Sequence, residues 1–493
     1  MKKLKIIGLY MATLVSVVGC KSDLDINRDP YLPTEATPKL LLPTGIAYSA
    51  SKIGGDIQNI GAFWSQHYTQ NNTSAQYKTL DQYSVGVADY NSIWTSVFGG
   101  GLKDLSLTME MSKASGAWNY YIPASVMSVL DYHVLVDLYS QLPYTEGLTG
   151  DKNKAPHWED GKVVNAKLIA QLDEAISKGA EAIALPRIGN EDFIFQGDIA
   201  QWIKFAKTLK LKLLMRDFTA NQAAIQALLT EGDFLSTLDA KMTGFADLES
   251  KSNPLYEYDR RKLNTFFNIK ASNTLLNFLK ENKDPRISDF FELAKVEVPE
   301  GQPAKNDYIG LDQGNFTITG LQTNNTSRAV LAATDPVYFA SAAESKFLQA
   351  EAWARLGDAG KAKTAYDAAV TLAFARWGKS AESFIQPNGA YEFKGGTTEQ
   401  MVKAIITQKW VAAVRCQAWD SFFDQNRTGY PAISTVSAES PSYVKGEYTI
   451  SINSSLGGTE IPRRLLYPKV SADFNPNTPK AVAINTKMWW HKQ

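Results

Sequence analysis

Between residues 340 and 373, small and apolar side chains recur at steps of three and four. Ala340, Ala343, Phe347, Ala350 and Ala354 fall on one helical face, and Ala362, Tyr366, Ala369 and Ala373 fall on the next. That periodicity marks two amphipathic helices. Gly357-Asp358 interrupts them, as a helix stop followed by a helix start. Small residues facing small residues let two antiparallel helices approach closely, so the segment from about 338 to 376 reads as a tight helical hairpin.

Helical patterning recurs elsewhere. Met127, Leu130, Val134 and Leu138 share a face within 124–138, and the pattern stops at Gln141-Leu142-Pro143-Tyr144, as proline demands. A second run takes in Leu168, Leu172, Ala175, Ile176 and Ala180. A third begins at Asp198, a suitable N-cap, and continues through Trp202, Phe205, Leu209 and Leu213. Helix is expected again from Val337 to about 376 and from Thr398 to about Asp424. Two stretches, about 240–335 and 430–493, are rich in Gly, Asn, Pro and Thr and carry only short periodic runs. The expected fold is therefore mostly α, a helical-hairpin scaffold with long irregular inserts. Loops that long in a compact domain are usually functional.

The N-terminus reads as a targeting segment. Lys2, Lys3 and Lys5 precede an apolar stretch from Ile6 to Val18, too short for a membrane span of ~20 residues. It ends in Val17-Val18-Gly19-Cys20, which resembles a bacterial lipobox. Residues 1–19 are expected to be a signal peptide, Cys20 the lipidated residue, and 20–43, with Pro30, Pro33, Pro38 and Pro43, an extended tether before a domain over 44–493. Several acyl chains on Cys20 would anchor the chain without a span. The following Lys21-Ser22-Asp23-Leu24-Asp25 resembles a surface-export signal, so the expected location is the extracellular side of the outer membrane.

Composition excludes other classes. Loss of three lysines with residues 1–19 leaves 48 basic against 51 acidic residues, a net charge of about −3. No basic stripe is present, so nucleic acid is not an expected partner. With Cys20 acylated, Cys416 has no disulfide partner, and it is expected as a buried thiol inside a helix over 411–419. His67, His133, His157 and His491 have no metal-ligand spacing, and no metal or cofactor is expected. Gly378-Lys379-Ser380 lacks the first phosphate-loop glycine, because position 373 is Ala. Neither a zinc-protease helix nor a nucleophile elbow occurs. The chain is expected not to be an enzyme. A glycoside hydrolase, which needs only two suitably spaced carboxylates, is the least favoured alternative.

The order Leu356-Gly357-Asp358, Ala362, Tyr366, Ala369 resembles the tetratricopeptide repeat. A series of blocks then resembles the SusD/RagB family of outer-membrane nutrient-binding lipoproteins across nearly the whole mature chain. They include Asp137-Leu138-Tyr139 with Leu142-Pro143-Tyr144-Thr145-Glu146, Trp202 through Arg216, and Asp284-Pro285-Arg286 with Phe290-Phe291. Further blocks are Glu344 to Glu351, Gln408-Lys409-Trp410, Ala418-Trp419-Asp420 and Arg427-Thr428-Gly429-Tyr430-Pro431. Ile461-Pro462-Arg463-Arg464-Leu465, Tyr467-Pro468 and Asn475-Pro476-Asn477 complete the series. The resemblance implies a hinged lid on a SusC-like TonB-dependent transporter that captures an oligosaccharide or, in some branches, a peptide. A periplasm-facing tetratricopeptide scaffold is the rival reading.

The blocks themselves read as scaffold. Trp410 and Trp419, nine residues apart, would lie on opposite faces of one helix and pack in the core. Arg463 and Arg464 are expected to pin the C-terminal loop to helix carbonyls or carboxylates. For ligand capture, exposed loop aromatics are the candidates: Tyr68, Tyr77 and Tyr83, with Asn71 and Asn72 as hydrogen-bonding groups. The tetrapeptide Asn-Asn-Thr-Ser occurs at 71–74 and again at 324–327, which adds Asn324 and Asn325. Tyr256, Tyr258 and Tyr308 fall in the same second loop region, and Phe266-Phe267 reads as core.

The Cys20→Ala variant is expected to lose acylation and to leave the membrane fraction. Processed variant recovered there at the parental level would contradict the lipobox.

Overall fold

Wherever the sequence shows three- and four-residue periodicity, a helix finds a facing helix to bury its apolar stripe. The computed structural model describes residues 36–492, except 264–266, 299, 301, 304, 321, 323 and 324. Residues 1–19, Cys20, Asn324 and Phe266 therefore lie outside the described residues. Leu102–Ser115 packs on Trp118–Tyr139, which packs on Gly161–Ser177, which in turn meets Ile199–Leu214. The last of these starts as expected, with the Asp198 carboxylate accepting the Gln201 N–H at 3.2 Å.

The hairpin is Ala342–Arg355 against Ala359–Ala375. Ala343, Phe347, Ala350 and Ala354 interlock with Ala362, Tyr366, Ala369 and Ala373, all buried in one cluster. Gly357, at φ +83°, makes the left-handed turn between them, a conformation glycine adopts without a Cβ penalty. Asp358 caps the second helix by accepting the Lys361 N–H at 2.9 Å. Thr398–Ala412 covers the first helix of the pair. The chain is thus mostly α, and its strands are few, short and paired only in twos.

Several boundaries differ from the sequence expectation, each for a packing reason. The tether was expected to reach residue 43, but a helix spans Pro38–Lys52. Leu42, Ile46 and Ala50, spaced by four, enter the core, which offsets the rung that Pro43 removes. Val337–Ala340 is a strand antiparallel to Ala240–Met242 and not the start of the hairpin helix. Its Val-Tyr-Phe run is suited to extended backbone, and Ser341 caps the helix that follows. The expected 398–424 helix is two helices, Thr398–Ala412 and Ala418–Thr428, broken where Arg415 adopts φ +55°. Cys416 sits in that turn and not in a helix, yet its thiol is buried.

Trp410 and Trp419 consequently belong to different helices, and both are core. Trp410 Nε1 donates to the Ser65 carbonyl at 2.8 Å. Arg464 donates to the Tyr139 carbonyl at a helix end, as expected. Arg463 instead bonds a side-chain amide, Asn426 Oδ1, at 2.7 Å.

Bulk added inside the hairpin must overpack it. Ala350→Leu and Ala369→Leu are each expected to destabilise by ~1–3 kcal/mol, read as a lower melting temperature. Two unchanged melts would contradict the close pairing.

Candidate functional site

The two loop regions singled out in the sequence come together. Tyr68–Gln70 pairs antiparallel with Ile269–Ala271, placing Tyr68 opposite Ala271. The buried Asp81 carboxylate ties this junction, accepting the Gln70 N–H at 2.6 Å, the Thr69 hydroxyl at 2.7 Å and the Gln313 amide at 2.5 Å. Burial outweighs those hydrogen bonds and pushes the Asp81 pKa up to about 7. Gln66 extends the junction to the C-terminal segment, where its amide donates to the Thr449 carbonyl and its Oε1 accepts the Thr449 N–H at 2.9 Å.

That internal bonding corrects the expectation of exposed aromatics. Tyr68, Tyr77 and Tyr83 are only 1%, 5% and 2% exposed. Tyr68 lies edge-on to Phe291 at 6.5 Å, and Tyr77 packs 5.3 Å from Phe63 while donating to Asp259 at 2.9 Å. Burial, followed by the neighbouring Asp259 carboxylate, holds the Tyr77 phenol far above its usual range. Asn71 is fully buried, donating to Thr73 at 2.7 Å. Asn72 is half-buried and donates toward the Ile318 carbonyl. Asn325 is buried and donates to Glu297 at 2.6 Å. Five of these six described residues therefore serve the junction between loops, because extended backbone covered on both faces must satisfy its polar groups internally. Tyr77 also borders open space.

That space is a concave pocket of about 830 Å³ between the scaffold and the first insert. One wall is the end of the Pro38–Lys52 helix and the π-helical turn Ile53–Ile57. Gly55 there takes φ −109° and ψ −106°, outside helical geometry, and the break separates Lys52 from Asp56 and Asn59. Lys52 Nζ bonds Asp56 at 2.8 Å and Ser92 at 3.1 Å, and the Ser92 hydroxyl donates to the same Asp56 oxygen at 3.0 Å. Asn59 lies deeper; its Oδ1 is buried and meets no hydrogen-bond donor among the described residues.

Aromatic side chains line the pocket as well. Tyr77, Tyr90, Phe245 and Tyr258 all line the pocket, and Tyr258 is 47% exposed. Burial and then the Asp56 and Asp89 carboxylates raise the Tyr90 phenol, so the ring stays neutral. Flat apolar faces together with amides, hydroxyls and carboxylates make a surface able to hold a polar ligand with apolar ring faces. Of the side chains named here, Tyr77, Phe245 and Tyr258 lie in the segments singled out from sequence. Lys52, Asp56, Asn59 and Tyr90 were missed, although Ile53-Gly54-Gly55-Asp56 inside a helical run is a legible sign of a break beside polar residues. Among the described residues no group of three or more His, Cys, Asp or Glu could hold a metal ion, and no helix is long and apolar enough to cross a membrane.

A family model, SusD-like proteins described as "starch-binding associating with outer membrane", matches residues 31–468. The chain belongs to this family. Membership makes it a nutrient-binding, outer-membrane-associated protein. No curated protein sequence matches the chain. Among solved structures, a SusD homologue from Bacteroides uniformis shares the fold at TM-score 0.76 and 21% identity, covering 92% of this chain and 99% of its own. A chitin-binding protein matches at TM-score 0.74 and 21% identity, covering 93% and 100%. A chitin-binding SusD homologue from Flavobacterium johnsoniae matches at 0.72 and 18%, covering 91% and 98%.

Because Tyr83 is core and lies outside the pocket lining, Tyr83→Ala is expected to destabilise by ~3–5 kcal/mol. Glycan affinity measured below its melt should equal the parental value. An unchanged melt with weakened binding would return Tyr83 to the site.

Proposed function

We propose that this SusD-like chain is a lipid-anchored lipoprotein on the cell surface that captures an oligosaccharide in the 830 Å³ pocket and passes it to a SusC-like TonB-dependent transporter as a hinged lid. The observation that carries the binding reading is the pocket itself, where the half-exposed Tyr258 ring lines the same cavity as Asp56, Ser92 and Asn59. Sugar rings stack C–H faces on aromatic side chains, and their hydroxyls need several donors and acceptors at once. Two of the structural neighbours bear the description chitin-binding, which favours a saccharide over a peptide for this chain also.

The lipid anchor at Cys20 rests on the lipobox and the transporter partner on family membership. Capture and hand-over break no bond, so the proposed role is binding and not catalysis, with no cofactor or metal called for.

Tyr258→Ala tests the pocket. Calorimetry against chitooligosaccharides, maltooligosaccharides and short peptides should find a saccharide that binds the parental protein. The variant should lose about 2 kcal/mol of binding, roughly thirtyfold in affinity, at an unchanged melting temperature. Parental-level saccharide binding by the variant would move the site elsewhere, and tight peptide binding alone would change the ligand class.

A further inference from the structure

Within the pocket one group stands apart from the rest. Asp56, Ser92 and Lys52 satisfy one another, and Tyr77 is satisfied by Asp259. Glu257 accepts the Ser250 N–H at 3.0 Å through one oxygen and ion-pairs with Arg261 at 3.5 Å through the other. Asn59 is 5% exposed, and no side-chain or backbone donor among the described residues reaches its Oδ1. A buried acceptor without a partner destabilises a fold, and native proteins rarely leave one so. An apolar residue would serve a purely structural role here better than asparagine, since the flanking Ile57 and Ile60 are both core.

We infer that Asn59 is the specificity-determining residue of the pocket, its Oδ1 accepting a hydrogen bond from a hydroxyl or amide N–H that the bound saccharide pushes to the floor. This rests on the pocket being the saccharide site. With the carbonyl oxygen at that point, the ligand donates to it. An ether, a methylated hydroxyl or a carboxylate would leave the amide oxygen facing another acceptor, which is repulsive as well as unbonded. Asn59 lies on the first turn of Gln58–Trp64, held rigidly because Gly61 on the same helix presses against the Trp419 backbone. A Cβ there would stand 2.3 Å from Trp419 Cα. The acceptor is thereby fixed in place before the ligand arrives, so little ordering entropy is lost on binding.

The test uses the full chain and a saccharide from the panel above that binds the parental protein. Asn59→Leu and Asn59→Ala are measured beside Tyr258→Ala for melting temperature without ligand and for affinity. Asn59→Leu should melt at or above the parental temperature, because an unsatisfied buried amide is gone, and should bind about tenfold more weakly, the worth of one hydrogen bond. Asn59→Ala guards against overpacking by leucine and should show the same loss of affinity. A lowered melt in both variants with parental affinity would overturn the inference and make Asn59 structural. Weak binding by Tyr258→Ala with parental binding by both Asn59 variants would overturn it while leaving the pocket standing. If no saccharide binds, or Tyr258→Ala binds like the parent, the pocket reading fails and the inference falls with it.

Discussion

Seven buried charged side chains and the partly exposed Arg355 meet where four helices converge, and the scaffold is organised around them. Lys212 bonds Glu344 and, at 2.6 Å, Asp420. Lys409 bonds Asp424 at 2.6 Å, and Arg427 spans Asp424 at 2.7 Å and both oxygens of Glu351 at 2.6 Å. Arg355 closes the series on Glu351 at 2.7 Å. Four cations face four anions on Ile199–Leu214, Ala342–Arg355, Thr398–Ala412 and Ala418–Thr428. Burial alone would raise the Glu344 carboxyl, but Lys212 and Lys409 override it and hold the pKa at about 2. Such a network adds little net stability compared with apolar packing, yet removing one partner strands a buried charge at a cost of about 3–5 kcal/mol. Each charge lies within ion-pair distance of an opposite one, so displacing one helix would strand its partners.

The family-like blocks and this network are largely the same residues. Glu344 and Glu351 bound one block, Lys409 centres a second, Asp420 ends a third, and Lys212 and Arg427 belong to two more. Arg216, from the same stretch as Lys212, pairs with the buried Asp137 at 2.6 Å, and Asp284 pairs with Arg286 under Tyr391. The inserts add to this core, with Leu275, Leu279, Phe290 and Phe291 of the first and Tyr448, Ile461 and Leu465 of the second buried in it. They settle against it through their own polar junctions, Asp81 and Gln66 above all, and leave open the pocket that the first insert and the Pro38–Lys52 helix share.

The hairpin, the start of the helix at Asp198, the burial of Trp410, Trp419 and Cys416, and the two irregular inserts were all legible. Three- and four-residue periodicity reports burial directly, and capping residues act within a few positions of their own backbone. The misplacements occur where a local signal was outvoted. Val337–Ala340 pairs with a strand about a hundred residues earlier, and the break at Arg415 lies inside an unbroken apolar pattern. Tyr68 and Tyr83 have the composition of a binding loop but are covered by segments distant in sequence.

By itself, then, the sequence determined the helical class, the hairpin, the family and the segments that would be irregular, because each follows from contacts within a turn or two of the chain. Which aromatics face a ligand was decided only in three dimensions. Tyr77 and Tyr83 are six residues apart in similar surroundings, and one borders the pocket while the other is sealed in the core. The break at Gly54-Gly55 was a local mark near Asn59, but that its oxygen is buried without a donor was set by the packing around it. Burial and the lack of a donor are properties of the packed neighbourhood, and no window of sequence contains them.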